Sequence, residues 1–174
     1  MALKIAITGP PGVGKSTVAK KVVELYETHS TVGGILTRDR RLKGKRIGFE
    51  IIDIASGLQG QLADLWGKGP RVGHYRVNLE DLENIGLRAL ETARTLELIV
   101  VDEVGPMELQ SDKIIQAIEN VIASEKAILA VVKLGYTHPL AQRILRTFKL
   151  ITVTRENRDL LSAEIVKELN IENG

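Results

Sequence analysis

Near the amino terminus the chain reads Gly9-Pro10-Pro11-Gly12-Val13-Gly14-Lys15-Ser16-Thr17. Gly9, four intervening residues and then Gly14, Lys15 and Ser16 match the spacing G-x-x-x-x-G-K-[ST] of a phosphate-binding P-loop. Each position has a physical reason. Gly9, Gly12 and Gly14 let the backbone take dihedrals that other residues resist. The curl aims successive N–H groups at one point and makes a nest for an anion. A helix that starts near Lys15 adds the positive end of its dipole. Lys15 is a long-stemmed point charge for the outer phosphates, Ser16 can put its hydroxyl on Mg²⁺, and Thr17 is placed to reach the inner phosphate. Pro10, Pro11 and Val13 complete the loop.

A second chemical signal lies far along the chain, in Leu98-Ile99-Val100-Val101-Asp102-Glu103. Four apolar residues read as a buried strand, and two carboxylates emerge at its carboxyl end, where ligands bind in open α/β sheets. A phosphate loop needs a carboxylate that holds the Mg²⁺ shell opposite its Ser. Asp102 is the candidate. Neighbouring side chains on a strand point to opposite sides, so Glu103 is expected to point differently and to address the water beyond the γ-phosphate, as general base or as orienting group.

The elements that must position these residues follow from periodicity. Leu3 to Thr8 is a short apolar run ended by Gly-Pro-Pro-Gly, hence a buried strand, and the segment from Lys15 has Val18, Val22, Leu25 and Tyr26 at helical spacing. A strand, a glycine turn and a helix in that order open a parallel α/β sheet. From about Thr31 to about Val77 the character changes to short β-like runs separated by turn-rich stretches, which predicts an inserted set of antiparallel hairpins, with the Val72-to-Asn78 stretch as loop. The α/β pattern then resumes. Asn78 is expected to cap a helix with Leu82, Ile85 and Leu90 inward, and Ser111 to cap another. Ala127 to Lys133 is a strand, a short helix starts at Pro139, a strand covers Lys149 to Thr154, and a helix closes the chain. The fold class is α/β, one domain over residues 1–174.

Composition narrows the partners. Without cysteine there are no disulfides and no thiolate metal sites, and His29, His74 and His138 lack metal-ligand spacing. No leader and no membrane-length apolar run are read from the sequence, and a cytoplasmic location is expected. A net charge of +2 is too small to indicate nucleic acid by itself.

The segments GPPGVGKST, GGILTRDRR with RIGFEIIDIASG, VGHYRVNLEDLE, DEVGPMEL and TVTRENRDLL together resemble a known family, the small P-loop nucleoside-triphosphatases described from thermophiles, with a cancer-related human member. The resemblance spans essentially the whole chain. It implies a RecA-like fold with a catalytic Glu and an additional strand, here Ala127 to Lys133, inserted between the loop strand and the Asp102 strand. It also implies slow Mg²⁺-dependent hydrolysis of ATP, GTP and other nucleoside triphosphates to the diphosphate and phosphate. Gly9 to Ser16 then form the phosphate loop and Asp102 with Glu103 the second motif, with Lys15 and Glu103 catalytic and Ser16 and Asp102 on the metal. Family members often have His near the end of the inserted strand, where this chain has Lys133 and a later His138.

Other residues admit two readings each. The basic run Arg38, Arg40, Arg41, Lys43, Lys45 and Arg46 is a solvated hairpin tip, or Arg38 faces the nucleotide and neutralises developing charge. Lys133 ends a strand on the ligand side of the sheet. Asn157 caps the last helix or lines the base pocket. Trp66 reads as packing within the core or the insertion. Two other functions use the same loop: a nucleotide or small-molecule kinase, with the hairpins as a lid over an acceptor pocket, and a nucleotide-gated nucleic-acid-binding module.

Overall fold

The computed structural model describes residues 2–173. The chain alternates strand β1 (Lys4–Thr8), helix α1 (Lys15–Tyr26), strands β2 (Val32–Leu42), β3 (Lys45–Asp53), β4 (Gln59–Asp64), β5 (Arg71–Val72) and β6 (Tyr75–Val77), then α2 (Leu79–Ala93), β7 (Leu98–Val104), α3 (Asp112–Ile122), β8 (Ala127–Val132), α4 (Pro139–Thr147), β9 (Lys149–Thr152) and α5 (Arg158–Asn173). Among the described residues the strands form one sheet in the order β5-β6-β4-β3-β2-β7-β8-β1-β9. The half from β2 to β9 is parallel and the half from β2 to β5 antiparallel. Strand β8 stands between the loop strand β1 and the carboxylate strand β7, as expected.

Helices cover both faces of the parallel half, making three layers. On one face α2, α3 and α4 bury Leu82, Leu90, Ile114, Ile118 and Ile144 against Ile99, Val101 and Ile128. On the other, α1 and α5 bury Val18, Val22, Ile165 and Leu169 against Ile5, Ile7 and Leu129. Strand β8 is buried along its whole length, which explains its uninterrupted apolar sequence. Asn78 and Ser111 cap their helices as expected, accepting from the N–H groups of Asp81 and Ile114.

Three details differ from the sequence reading. Strand β2 is not wholly part of the antiparallel insertion: Val32 to Ile35 pair in parallel with Leu98 to Val101, and only from Ile35 onward does β2 pair with β3. One long strand therefore belongs to both halves. Gly34 makes this possible, because at its φ of +112° a Cβ would lie 1.9 Å from the Val100 carbonyl oxygen. The stretch read as loop forms the small β5–β6 hairpin, closed by Gly73 at φ +59° and His74, since a glycine in a two-residue turn suits a hairpin. Trp66 does not pack into a core; it is 66% exposed just beyond β4, where its N–H bonds to Asp64 and the bend turns the ring outward.

Candidate functional site

Strand β1 delivers the chain into the loop, and Gly14 at φ +109° caps α1. Gly9 packs against the segment after β9: a Cβ there would stand 2.8 Å from the Val153 carbonyl oxygen. Arg158, at the start of α5, donates to the Val13 carbonyl at 3.3 Å and closes the loop from the same side. Val13 itself is buried, anchoring the loop in the core. Lys15 Nζ folds back over the turn and donates to the carbonyls of Gly9 (2.7 Å) and Pro10 (3.2 Å). Pro11, Gly12 and Thr17 line the open side.

The carboxylates come from β7. Asp102 is fully buried. Its Oδ1 accepts from the Ser16 hydroxyl at 3.1 Å, and its Oδ2 accepts from the Thr37 N–H and hydroxyl at 3.4 and 3.3 Å. The β7–β8 register breaks here, passing from Asp102↔Val131 to Val104↔Val132, and Glu103, between them, faces the cavity that Lys15 and Lys133 also line. The two carboxylates diverge, Asp102 toward Ser16 and Thr37, Glu103 into the open cleft.

Burial dominates the electrostatics. It pushes the Asp102 carboxyl up to about 7, helped by the charge of Glu103 and opposed by the hydrogen bonds from Thr37 and Ser16. Burial also raises Glu103, while the ammonium groups of Lys15 and Lys133 pull it back. Glu108, buried beneath the cleft, is raised well above the usual carboxylate range by burial and then by Glu103. A buried carboxylate cluster next to a phosphate loop has a deficit of positive charge.

The Asp102 carboxylate and the Ser16 hydroxyl meet directly at 3.1 Å, two hard oxygen donors of a kind that could hold a divalent cation. Among the described residues no three His, Cys, Asp or Glu side chains gather as a self-contained metal cage.

The remaining residues singled out from sequence fall in different places. Arg38 lines the cleft, and its guanidinium is held by Glu50 and by Gln59 at 3.1 Å. Lys133 lines it as an exposed side chain. Asn157 is not among the cleft-lining residues. Its backbone carbonyl accepts the first bonds of α5, from Leu160 and Leu161, but its side chain reaches backward, to the Thr154 N–H (2.8 Å) and the Thr152 carbonyl (2.9 Å). His138 caps α4, accepting from the Leu140 N–H. His29 packs at a tilt against the Tyr26 ring and meets Asn170, and His74 is an exposed turn residue.

Two members of the site escaped sequence reasoning. Thr37 ends the apolar part of β2, so its polarity was a faint signal. Glu108 sits in a short 3₁₀ turn, Glu108–Gln110, and has no local mark of burial at all.

The cleft bounded by the loop, the β2–β5 hairpins and the segment after β7 encloses about 710 Å³. A hollow of about 530 Å³ between α1 and α5, lined by Leu25, His29, Val166 and Ile171 among others, has no comparable convergence of amides and charge. Leu25, one of the apolar positions at helical spacing in α1, is 43% exposed at its rim.

Comparison with known proteins shows the family and the fold. The model of a family described as NTPase matches residues 4–166. The nucleoside-triphosphatase THEP1 of Methanosarcina acetivorans is 48% identical over 94% of both chains, and that of Archaeoglobus fulgidus is 40% identical over 96% of this chain and 99% of the other. The crystal structure of THEP1 from the hyperthermophile Aquifex aeolicus superposes with a TM-score of 0.86 at 32% identity, covering 96% of this chain and 99% of that one. The solution structure of a human cancer-related nucleoside triphosphatase does so with a TM-score of 0.80 at 33% identity, covering 97% of each. With its phosphate loop, its carboxylate strand and the inserted strand between them, the chain belongs to the NTPase family of nucleoside-triphosphatases.

Proposed function

We propose that this chain hydrolyses ATP, GTP and other nucleoside triphosphates to the diphosphate and phosphate, in a Mg²⁺-dependent reaction with broad base tolerance. The observation that carries the reading is the Ser16–Asp102 contact at 3.1 Å, which joins the loop to the carboxylate strand while Glu103 faces the same cavity as Lys15. Ser16 and Asp102 would hold the ion. When bound, it neutralises charge on the β- and γ-phosphate oxygens.

The chain's own groups supply the rest. The N–H groups of the Gly9-to-Ser16 loop and of the first turn of α1 would bind the phosphates, with Thr17 on the inner one. Lys15 would exchange its two carbonyl partners for phosphate oxygens and stabilise the charge that develops there. Glu103 would orient the attacking water and accept its proton; burial, which raises this carboxyl, makes it the better base. Lys133 and, once released from Glu50, Arg38 would face the transferred group. Thr37 holds Asp102 in place. The base would lie on the β9 side, where Arg158 and Asn157 stand; Asn157, its side chain committed to the backbone, would act there by shaping the Thr152-to-Thr154 turn. The arginines of the basic run pair with Asp39 and Glu50, which argues against an open nucleic-acid face. Among the described residues no helix is long and apolar enough to cross a membrane, and a cysteine-free chain suits the reducing cytoplasm, where we place its action.

Phosphate release from ATP, GTP, CTP and UTP, with Mg²⁺ and with EDTA, tests the reading beside Lys15→Ala. Release that does not depend on the ion, or that survives the loss of the Lys15 ammonium, overturns it.

A further inference from the structure

The cleft is larger than a triphosphate tail and its two ends differ in character. The sheet order sets a direction along it. The phosphate loop follows β1, the γ-phosphate end is marked by Glu103 at the end of β7, and the hairpins β2 to β5 lie farther still from β9. On that far side Phe49, Leu62, Val72 and Met107, which pack on one and the same face of the sheet, give the cleft an apolar wall. Water activation needs no such wall. Small-molecule pockets of about 300–1,000 Å³ combine an apolar lining of this kind with a few placed polar groups.

The polar groups at its rim are cationic. Arg41 and Arg46 share the single carboxylate of Asp39, so one guanidinium charge is left over, and Arg46 lies 5.2 Å from the centre of the Phe49 ring. Phe49 packs edge-on against Tyr75, which fixes its ring in the wall. An occupant with a flat apolar body meets Phe49 and its neighbours, and an anionic group on it meets Arg41 and Arg46.

We infer that the β2–β5 side of the cleft is an acceptor subsite for a small alcohol with an apolar, ring-bearing body and an anionic group, and that the chain transfers the γ-phosphoryl group to that hydroxyl when it is bound. The inference rests on the hydrolytic reading of the loop, because the donor and its cradle are the same. Glu103 selects the acceptor's chemistry: a carboxylate at that position repels a phosphate dianion but takes a proton from a hydroxyl. In the step, the acceptor oxygen forms a bond to the γ-phosphorus and its proton passes to Glu103. The bond from the γ-phosphorus to the bridging oxygen breaks, and that electron pair leaves on the β-phosphate of the nucleoside diphosphate. The products are a phosphomonoester and the diphosphate, with no inorganic phosphate from that turnover. Water takes the acceptor's place when the subsite is empty.

The test uses the full chain with 4-(hydroxymethyl)benzoate as probe. Its binding is followed by the methyl resonances of Leu62, Val72 and Met107 in the presence of Mg²⁺ and a nonhydrolysable ATP analogue. Transfer is followed by mass spectrometry of the phosphoester and by phosphate release with ATP. Saturable shifts at those methyls, phosphoester formation that rises as phosphate release falls, and about tenfold weaker probe binding in Arg46→Gln, the loss of one charge-assisted hydrogen bond, are expected. Val72→Asp abolishes the shifts by placing a charge in the wall; should that variant not fold, Arg46→Gln, on an exposed side chain, carries the test. Shifts absent from those methyls, or shifts confined to the phosphate loop, overturn the subsite. Occupancy without phosphoester overturns the transfer step. Either failure alongside normal Mg²⁺-dependent phosphate release leaves the hydrolytic reading intact, whereas no phosphate release with or without the probe overturns that reading instead.

Discussion

The Ser16 hydroxyl donates to the Asp102 carboxylate across 3.1 Å, although 86 positions separate them in the chain. Ser16 is on the first turn of α1 and Asp102 at the end of β7, two strands away from β1 in the sheet. The contact exists because parallel pairing through β8 brings the carboxyl ends of β1 and β7 level. The phosphate loop and the two carboxylates thereby share one mouth of the sheet.

Removing Lys15 tests the charge at that mouth. Lys15→Ala is expected to lower phosphate release by about 10²- to 10³-fold, the loss seen when one preorganised donor to a developing anion is removed. Steady-state phosphate release checks it, with circular dichroism confirming that the loop variant remains folded.

Glu103→Gln is expected to separate binding from turnover. A carboxamide keeps the shape and loses the base, so turnover should fall by about 10²- to 10⁴-fold while nucleotide affinity changes little. Calorimetric titration beside a phosphate-release assay reads both. Unchanged turnover would remove Glu103 from the mechanism.

Asp102→Asn should shift the metal requirement. With one carboxylate oxygen replaced by an amide nitrogen, the Mg²⁺ concentration for half-maximal release is expected to rise by about tenfold or more, whereas Thr37→Val, which removes only a hydroxyl from Asp102, should raise it less. Magnesium titrations of phosphate release compare the two.

Stability should depend on pH in a defined direction. Asp102 rises from 3.8 to about 7 on folding and Glu108 rises well above 4.5, so the folded chain binds protons that the unfolded chain has released. Its stability in EDTA is therefore full below about pH 4 for these groups and falls as pH rises through about 7. Urea midpoints from pH 5 to 8 measure the slope. Glu108→Gln, which removes one raised carboxyl, should flatten it and be more stable than the parent at pH 8.

The backbone at β2 offers a test of the fold itself. Gly34→Ala would put a Cβ 1.9 Å from the Val100 carbonyl oxygen at a φ of +112°. A loss of at least about 2 kcal/mol is expected from strain and steric conflict together. Denaturant unfolding gives the value. A neutral substitution would mean that β2 and β7 do not approach so closely.

Much of this was visible before any coordinates. The loop from Gly9 to Ser16, the strand ending in Asp102 and the helix caps at Asn78 and Ser111 depend on interactions within a few residues of sequence, and local composition reports those directly. The insertion was visible as a change of periodicity, but the dual role of β2 was not. Whether Val32 to Ile35 pair in parallel or antiparallel depends on which strand lies beside them, and β7 is more than sixty positions away.

The amino-acid sequence by itself determined that a polyphosphate cradle exists, which strand carries the opposing carboxylates and which segments cover the sheet, because glycine spacing and apolar periodicity encode local backbone and burial. Tertiary structure alone decided that Thr37 steadies Asp102, that Glu108 is buried beneath the cleft, that Trp66 lies in solvent and that Phe49, Leu62 and Met107 form one apolar wall. Those outcomes depend on side chains meeting across strands, turns and layers far apart in the chain. No local pattern specifies such meetings; they arise when the sheet closes and selects its neighbours.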